Sequence, residues 1–509
     1  MSHIDIVTPE PLAHPSSLLA TAHLFGLGTP SQSELKILEF DCGDGGNLIS
    51  IAATLPDSDC LGIAESADAI EHGSRLAKEA GLKNVKLTTG NISSIPRDGV
   101  YDIILLKNIY SRTSPGKRAA LLTRASSHLG ENGIILVDQI CLPGWSFKEP
   151  IRKQIQYHLR NEEDSLQRVI KGRQFLLALA ASVPDHLGLY QTLVRSEKDI
   201  SSQIPDLNFS VEYLSDSIQP SHFHEFAEVL DEAGLHYVAE AELETMMINR
   251  FPAAIAAILP ENSSLVESEQ YIDFITNRSR RFSIVCPKTE PVERQLEPER
   301  IKSLYFSMYS APVDAAAVMA ESETSLTGPT GSIVTLTTKS SKAALLVLSE
   351  NAPARMSFEE ITTKVSDRTG DLTEADIKSI AEALSAGAVS GMVKINCNEG
   401  AWSRLTSDSP TASSLVRAQA AAAMPYVSSL QHRTIEIDQV AGRLLQLLDG
   451  KNGKEKLIST LVEMISIGEL SAETPEGEKI EDPEKVEQIA AQQVDLFLAR
   501  FATSGLLIG

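Results

Sequence analysis

From residue 37 to residue 138, short apolar runs alternate with longer segments whose apolar positions recur at helical spacing. Ile37-Leu38 opens the series, and residues 60–65, 85–90, 101–107 and 133–138 repeat it as candidate strands. Runs that are apolar on both faces and separated by helices predict a doubly wound parallel sheet, an α/β fold. The helix ends are legible too. Ser66, with Asp68 in the following turn, starts a helix that stops at Gly81; Ser114-Pro115 starts another that ends before Gly130. The most informative stretch is 37–47, Ile-Leu-Glu-Phe-Asp-Cys-Gly-Asp-Gly-Gly-Asn, a strand that breaks into glycines and then into a helix. Gly43, Gly45 and Gly46 lack Cβ atoms where a ligand could approach the backbone, and a helix N-terminus at Gly46 or Asn47 offers free N–H groups. Ligands of doubly wound sheets sit at these carboxyl ends of the strands. The spacing D-x-G-x-G-G departs from the dinucleotide fingerprint G-x-G-x-x-G.

After residue 138 the rhythm changes. Residues 146–202 read as helices, and a further helix over 222–233 ends at Gly234. Leu235–Glu240 and Arg281–Pro287 are strand-like and are expected to pair antiparallel at the edge of the sheet. Residues 288–300, rich in Pro, Glu and Arg, read as a linker. Beyond them, a Thr-rich strand at 334–339, helices over 341–350, 357–369 and 373–386, and a strand from Val393 suggest a winged helix. The rest, 411–509, reads as helical. The expected division is a ligand-binding core over 1–145, a helical insertion and sheet-completing region over 146–295, a linker and winged-helix-like domain over 296–410, and a C-terminal helical region over 411–509.

Composition narrows the function classes. A 42% apolar and 22% charged chain is globular, and no apolar run approaches the ~20 residues of a membrane span. The first ten residues carry no basic and apolar leader pattern, and five scattered cysteines without metal spacing suit a reducing, cytoplasmic setting. Asn262-Ser-Ser and Asn277-Arg-Ser match glycosylation triplets, which carry no meaning without secretion. The net charge of −23 argues against nucleic acid and anionic membranes; it fits a basic peptide partner, though acidity for solubility alone is the favoured reading. The third helix of the winged-helix segment sets Lys378 against Glu374, Asp376 and Glu382, the wrong sign for a phosphate backbone. His222, His224 and Glu228 fall short of H-E-x-x-H spacing, so no metal is expected. Nothing in the pattern sets an oligomeric state.

Several stretches together resemble one family. They are His14-Pro15, Cys42-Gly-Asp-Gly-Gly-Asn-Leu48, Gly81-Leu-Lys-Asn-Val85, Ile109-Tyr110-Ser111 and Leu142-Pro-Gly-Trp145, then Phe223-His-Glu-Phe226, Gly234-Leu-His-Tyr237, Glu269-Gln-Tyr-Ile-Asp-Phe274, Asn277-Arg278 and Leu448-Asp-Gly450. The chain resembles the bacterial class I methyltransferases that carry a methyltransferase regulatory domain, typified by rickettsial protein lysine methyltransferases acting on outer-membrane proteins. The resemblance implies a Rossmann-like sheet with S-adenosylmethionine as methyl donor and a protein side chain, lysine, as acceptor. It places Glu39, Asp41, Gly43, Gly45, Asn47, Glu65, Asn91, Ile92 and Lys107 around the donor. Tyr110 stands where it could line the acceptor channel as a catalytic residue or pack beneath the fourth strand. Glu39 could meet the donor's amino group or face solvent; Lys107 could meet its carboxylate or pair with Glu39 or Asp41.

The departures from the family pattern fall on the donor side. Asp41 replaces a glycine. The acid that should end the second strand is Ala64, with Glu65 one place late, and a one-residue offset in a strand reverses the side chain. The expected acid after the third strand is Asn91, whose amide oxygen can still accept from an adenine amino group. These changes predict weak donor binding, and they leave as the alternative a non-catalytic relative acting as a binding or regulatory partner.

Overall fold

The computed structural model describes residues 6–28, 34–92, 99–246, 258, 263–308, 318–319, 322–329, 331–400, 402, 407–471, 480 and 482–508. The first five residues of the leader reading and Asn262 of the first triplet lie outside them.

Seven strands form one sheet: β1 (Lys36–Phe40), β2 (Asp59–Ala64), β3 (Val85–Thr89), β4 (Tyr101–Leu106), β5 (Leu129–Ile140), β6 (Leu235–Glu240) and β7 (Arg280–Pro287). Their order is β3-β2-β1-β4-β5-β7-β6. The first five run parallel, and β7 pairs antiparallel with both β5 and β6. The apolar runs read from the sequence are the buried strands: Ile103–Leu106 and Ile134–Val137 are wholly inaccessible. Helices α1 (Pro15–Leu24), α2 (Gly46–Thr54), α3 (Ala67–Glu79) and α4 (Pro115–Ser126) flank the sheet. Ser66 Oγ accepts from the Ala69 N–H and so starts α3 as expected. At the end of α4 the expectation was late. The helix stops at Ser126, and Leu129-Gly130 already belong to β5, whose register shifts between its Tyr101 and Ile103 partners.

Residues 145–203 carry three helices, Trp145–His158, Ser165–Ser182 and Leu189–Gln203, that close around their own apolar cluster of Ile151, Ile155, Leu176, Val194, Phe209 and Tyr213. The segment read as a linker is packed: its Val292 and Leu296 lie against the main core, and Ile301 just after it is buried. Beyond it, helices Lys339–Asn351, Phe358–Thr369 and Glu374–Val389 pack with a three-stranded sheet of Met356–Ser357, Tyr305–Met308 and Val393–Asn396. Residues 411–508 hold helices Ser414–Ala421, Gln439–Leu447, Lys454–Ser466 and Pro483–Thr503. They also hold a hairpin, Tyr426–Ser428 with Thr434–Glu436, that an all-helical reading missed. Leu415 and Ala418 of this module rest on Ile49, Leu76 and Ala77 of the core. Among the described residues no helix is long and apolar enough to cross a membrane.

One charged cluster ties the last two strands to the helix Leu265–Thr276. Arg281 on β7 has a fully buried side chain and donates to Asp273 (2.7 Å to Oδ1), Glu240 (2.6 Å) and Glu269 (2.9 Å). Arg278 adds a second cation 3.4 Å from Asp273. Three carboxylates face two guanidinium groups, so one carboxyl keeps its proton more readily than in water. Burial pushes Glu269 up to about 7, against the pull of Arg281. The folded chain therefore holds a proton that an unfolded glutamate, near 4.5, releases. The stabilising contribution is complete at the acidic end and is lost as pH rises through about 7. We predict that Glu269→Gln, which mimics the protonated form, flattens the melting-temperature profile between pH 5 and pH 8 relative to the natural chain. Parallel profiles for the two proteins would refute this assignment of the proton.

Candidate functional site

The carboxyl ends of β1, β2 and β4 open onto two adjoining cavities. One, of about 470 Å3, is lined by Glu39, Asp41, Gly43, Ala64, Glu65, Lys107 and Asn108, with Val7 and residues of the helical insertion completing its wall. The second, of about 580 Å3, is lined by Phe40, Ile63, Asn91, Ile92, Ile109 and Lys117 among others. Asp41, Ala64, Glu65 and Arg112 belong to both. Each volume falls in the range of small-molecule sites.

Glu39, near the end of β1, is 1% exposed. Asn47 Nδ2 donates to its Oε2 at 3.0 Å, and Lys107 Nζ stands 3.7 Å from its Oε1. Burial raises this carboxyl above its ordinary range, while Lys107 and the Asn47 bond hold it back. The open choice for Lys107 thus falls to Glu39. The next residue in the β4 turn, Asn108, has φ 56°, and its N–H donates to Asp138 at 3.1 Å. Asp138 is in turn gripped by Arg280 of β7 at 2.6 Å, so the sheet-completing region shapes this wall.

Asp41 is the departure with the clearest structural effect. Its φ is 56°, in the left-handed region that favours glycine, and its carboxylate is ion-paired with Arg112 rather than with Lys107. Arg112 Nε donates to the Asn108 carbonyl at 2.5 Å, which aims the guanidinium across the cleft. The pair is the shared wall between the two cavities. Glu65 escapes the parity argument, because β2 ends at Ala64 and Glu65 lies in the bend before α3. It reaches the rim of both cavities after all.

Other expected residues lie elsewhere. Gly45 turns toward β3, where a Cβ would meet Leu87 at 2.7 Å. The N-terminus of α2 is not open to a ligand: the Gly46 N–H donates to Asp44 Oδ1 at 3.1 Å, and a Cβ on Gly46 would strike the Val7 carbonyl. Asn47 is fully buried and reaches the cavity only through Glu39. Tyr110 lines neither cavity. It is wholly buried, edge-on to Phe226 (5.2 Å) and beneath the Arg118 guanidinium (4.7 Å), so it packs under β4 instead of lining an acceptor channel. His224 Nδ1 is bonded to Gln270 Oε1 at 2.9 Å. Sequence reasoning missed Val7, Asp44, Asn108 and His432, whose roles rest on contacts with residues far along the chain.

This architecture has known counterparts. A profile described as methyltransferase domain matches residues 31–201, and one described as predicted methyltransferase regulatory domain matches 209–287. A third, described as PKMT, C-terminal winged helix domain, matches 408–506, C-terminal to the 296–410 segment in which the sequence reading placed the wing. An uncharacterized protein of Rickettsia prowazekii is 26% identical over 98% of this chain and 92% of its own length. A second from the same organism is 30% identical over 42% of this chain and 86% of its length. The chain belongs to the class I S-adenosylmethionine-dependent methyltransferases that carry a regulatory domain. The structure of PKMT2 from Rickettsia typhi superposes on this methyltransferase with a TM-score of 0.85 at 25% identity, covering 99% of this chain and 100% of that one. The same protein has been solved in complex with AdoHcy with the same overlap. S-adenosylmethionine is therefore the cofactor of this methyltransferase, and its fold is a seven-stranded sheet with helical insertions and a C-terminal winged helix.

Proposed function

We propose that this methyltransferase acts in the cytoplasm on a protein side chain, lysine being the acceptor class suggested by its likeness to the PKMT structures. The supporting observation is Glu39, an anion held in place from two sides at the end of the first strand and facing a cavity that opens beside a glycine turn. A buried carboxylate there suits the ammonium end of S-adenosylmethionine, which supplies a methyl group made electrophilic by its sulfonium. Glu65 offers acceptors for ribose hydroxyls, and Asn91 and Ile92 line the second cavity, where an adenine would find an amide and an apolar wall. Methyl transfer to an amine needs in-line positioning and a deprotonated acceptor more than a dedicated base. The net charge of −23 favours a basic protein segment as acceptor.

Calorimetric titration with S-adenosylhomocysteine should show binding to the natural chain. Glu39→Gln should weaken it by roughly tenfold to a hundredfold, the range for losing a charged hydrogen bond. Mass spectrometry of lysine-bearing basic proteins incubated with isotope-labelled donor tests the acceptor class. No binding at millimolar donor would favour a non-catalytic binding partner.

A further inference from the structure

We propose that His432, on the hairpin turn of the C-terminal module, is a positioning residue for the donor's amino-acid end, acting through Asn47 on Glu39. The inference rests on the reading of Glu39 given above and extends it to a residue 385 positions away from Asn47 in the chain. The backbone N–H of Glu10 donates to Asn47 Oδ1 at 2.8 Å. A backbone amide can only donate, so this contact alone fixes which end of the Asn47 side chain is oxygen. His432 Nε2 lies 3.1 Å from the same oxygen and must therefore carry a hydrogen. His432 Nδ1, 2.9 Å from Ser50 Oγ, is left to accept from the hydroxyl. With its oxygen held by two donors, Asn47 presents Nδ2 to Glu39 Oε2 at 3.0 Å, and the other carboxylate oxygen stays turned toward Lys107.

Every member of this relay is buried: His432 is 1% exposed, Asn47 0%, Ser50 1% and Glu39 1%. Burial and the charge of Lys107 pull His432 down to about 3, so the ring is neutral at physiological pH and keeps one donor and one acceptor. His432 sits in the left-handed region, φ 55°, and its N–H is bonded to the Ser429 carbonyl at 2.9 Å, so the hairpin turn aims the ring. Here the ring's N–H is a second donor on the oxygen that Glu10 already fixes, which holds Nδ2 of Asn47 on Glu39, and the C-terminal module completes the donor site without touching it.

The test compares two small molecules on full-length protein by calorimetry. S-adenosylhomocysteine has the amino-acid end; 5′-methylthioadenosine keeps the adenosine and sulfur but lacks it. His432→Leu should weaken S-adenosylhomocysteine by about three- to tenfold, the loss of one neutral hydrogen bond, while leaving 5′-methylthioadenosine unchanged. His432→Gln, whose amide can still donate, should recover part of that loss. Should His432→Leu fold poorly, the Gln variant carries the comparison. Equal weakening of both molecules would mean a packing role only and would overturn the proposal, as would no weakening of either. If the natural chain already binds both with equal affinity, the placement of the amino-acid end at Glu39 falls, and the relay falls with it. A preference in the natural chain that survives in both variants overturns the relay alone.

Discussion

Arg281→Met should cost the fold about 3–5 kcal/mol, the penalty for removing one partner of a buried ionic cluster. The side chain is wholly buried and makes six close bonds to the carboxylates of Glu240, Glu269 and Asp273. Methionine fills much of the same volume, so the loss comes from stranded charge and not from a void. Arg278 remains as the nearby cation, 3.4 Å from Asp273, and cannot serve three carboxylates. The damage should shrink at low pH, because stranded carboxyls can then take up protons that the unfolded chain also binds. Denaturation followed at pH 5 and pH 8 checks both parts. A loss under about 1 kcal/mol at pH 8 would show that Arg281 is held without supporting its neighbours. The cluster also anchors β7, whose Arg280 grips Asp138 beside the donor turn, so donor affinity should fall in the same variant before the chain unfolds.

The second large effect concerns the donor cleft. Asp41→Gly combined with Ala64→Asp should tighten S-adenosylhomocysteine binding by roughly tenfold to a hundredfold. Two contributions have to be separated. The left-handed backbone at Asp41 costs on the order of 1 kcal/mol for a non-glycine residue, but it is strained with or without a ligand. Its relief raises the melting temperature of the free protein and leaves affinity untouched. Affinity changes because the Asp41–Arg112 pair stands between the cavities that a single donor would span, and because an acid at position 64 supplies a fixed acceptor for ribose hydroxyls. Both partners are about a third exposed, 31% for Arg112 and 34% for Asp41, so parting them costs under about 1 kcal/mol. Most of the gain should therefore come from position 64, since an unpaired buried hydroxyl costs about 1–3 kcal/mol. Asp41→Gly alone should stabilise the free chain and tighten binding only slightly. Tight binding by the natural chain would show that Glu65 already serves the ribose. Weak binding unchanged by the double substitution would contradict the placement of the donor.

Local pattern carried the sheet. Ile37, Leu38, Ile103–Leu106 and Ile134–Val137 are apolar because both faces of their strands are covered, and that is visible in a window of a few residues. The Ser66 cap and the left-handed Gly81 and Gly234 after their helices are local as well. The site was legible where it depends on the strand ends, at Glu39, Asp41, Gly43, Glu65 and Lys107, because topology alone delivers those positions to one edge. It was illegible where a neighbour came from elsewhere in the chain. Nothing near Asp41 announces Arg112 as its partner, and nothing near Asn47 announces Glu10 or His432. Gly45 and Gly46 were read as room for a ligand when the room is taken by Leu87 and Val7. Tyr110 was ambiguous because a residue just past a strand end can turn up toward the cleft or down into the core, and only Phe226 and Arg118 decide it.

The way the C-terminal module covers α2 bears on how the protein is made. Helix α2 is buried from Gly46 through Ala52, and Ile49 faces Leu415 and Ala418. On the ribosome, Ser50 is complete 382 residues before its partner His432 exists. At ordinary synthesis rates of 5–20 residues per second, that interval lasts roughly twenty to eighty seconds. From the completion of β7 at Pro287 until the module emerges, the nascent core shows Ile49, Leu76 and Ala77 bare and Ser50 without its His432 partner, the kind of surface that holding chaperones bind. For the same reason, a gene fragment ending before the C-terminal module should yield insoluble protein, however complete its sheet.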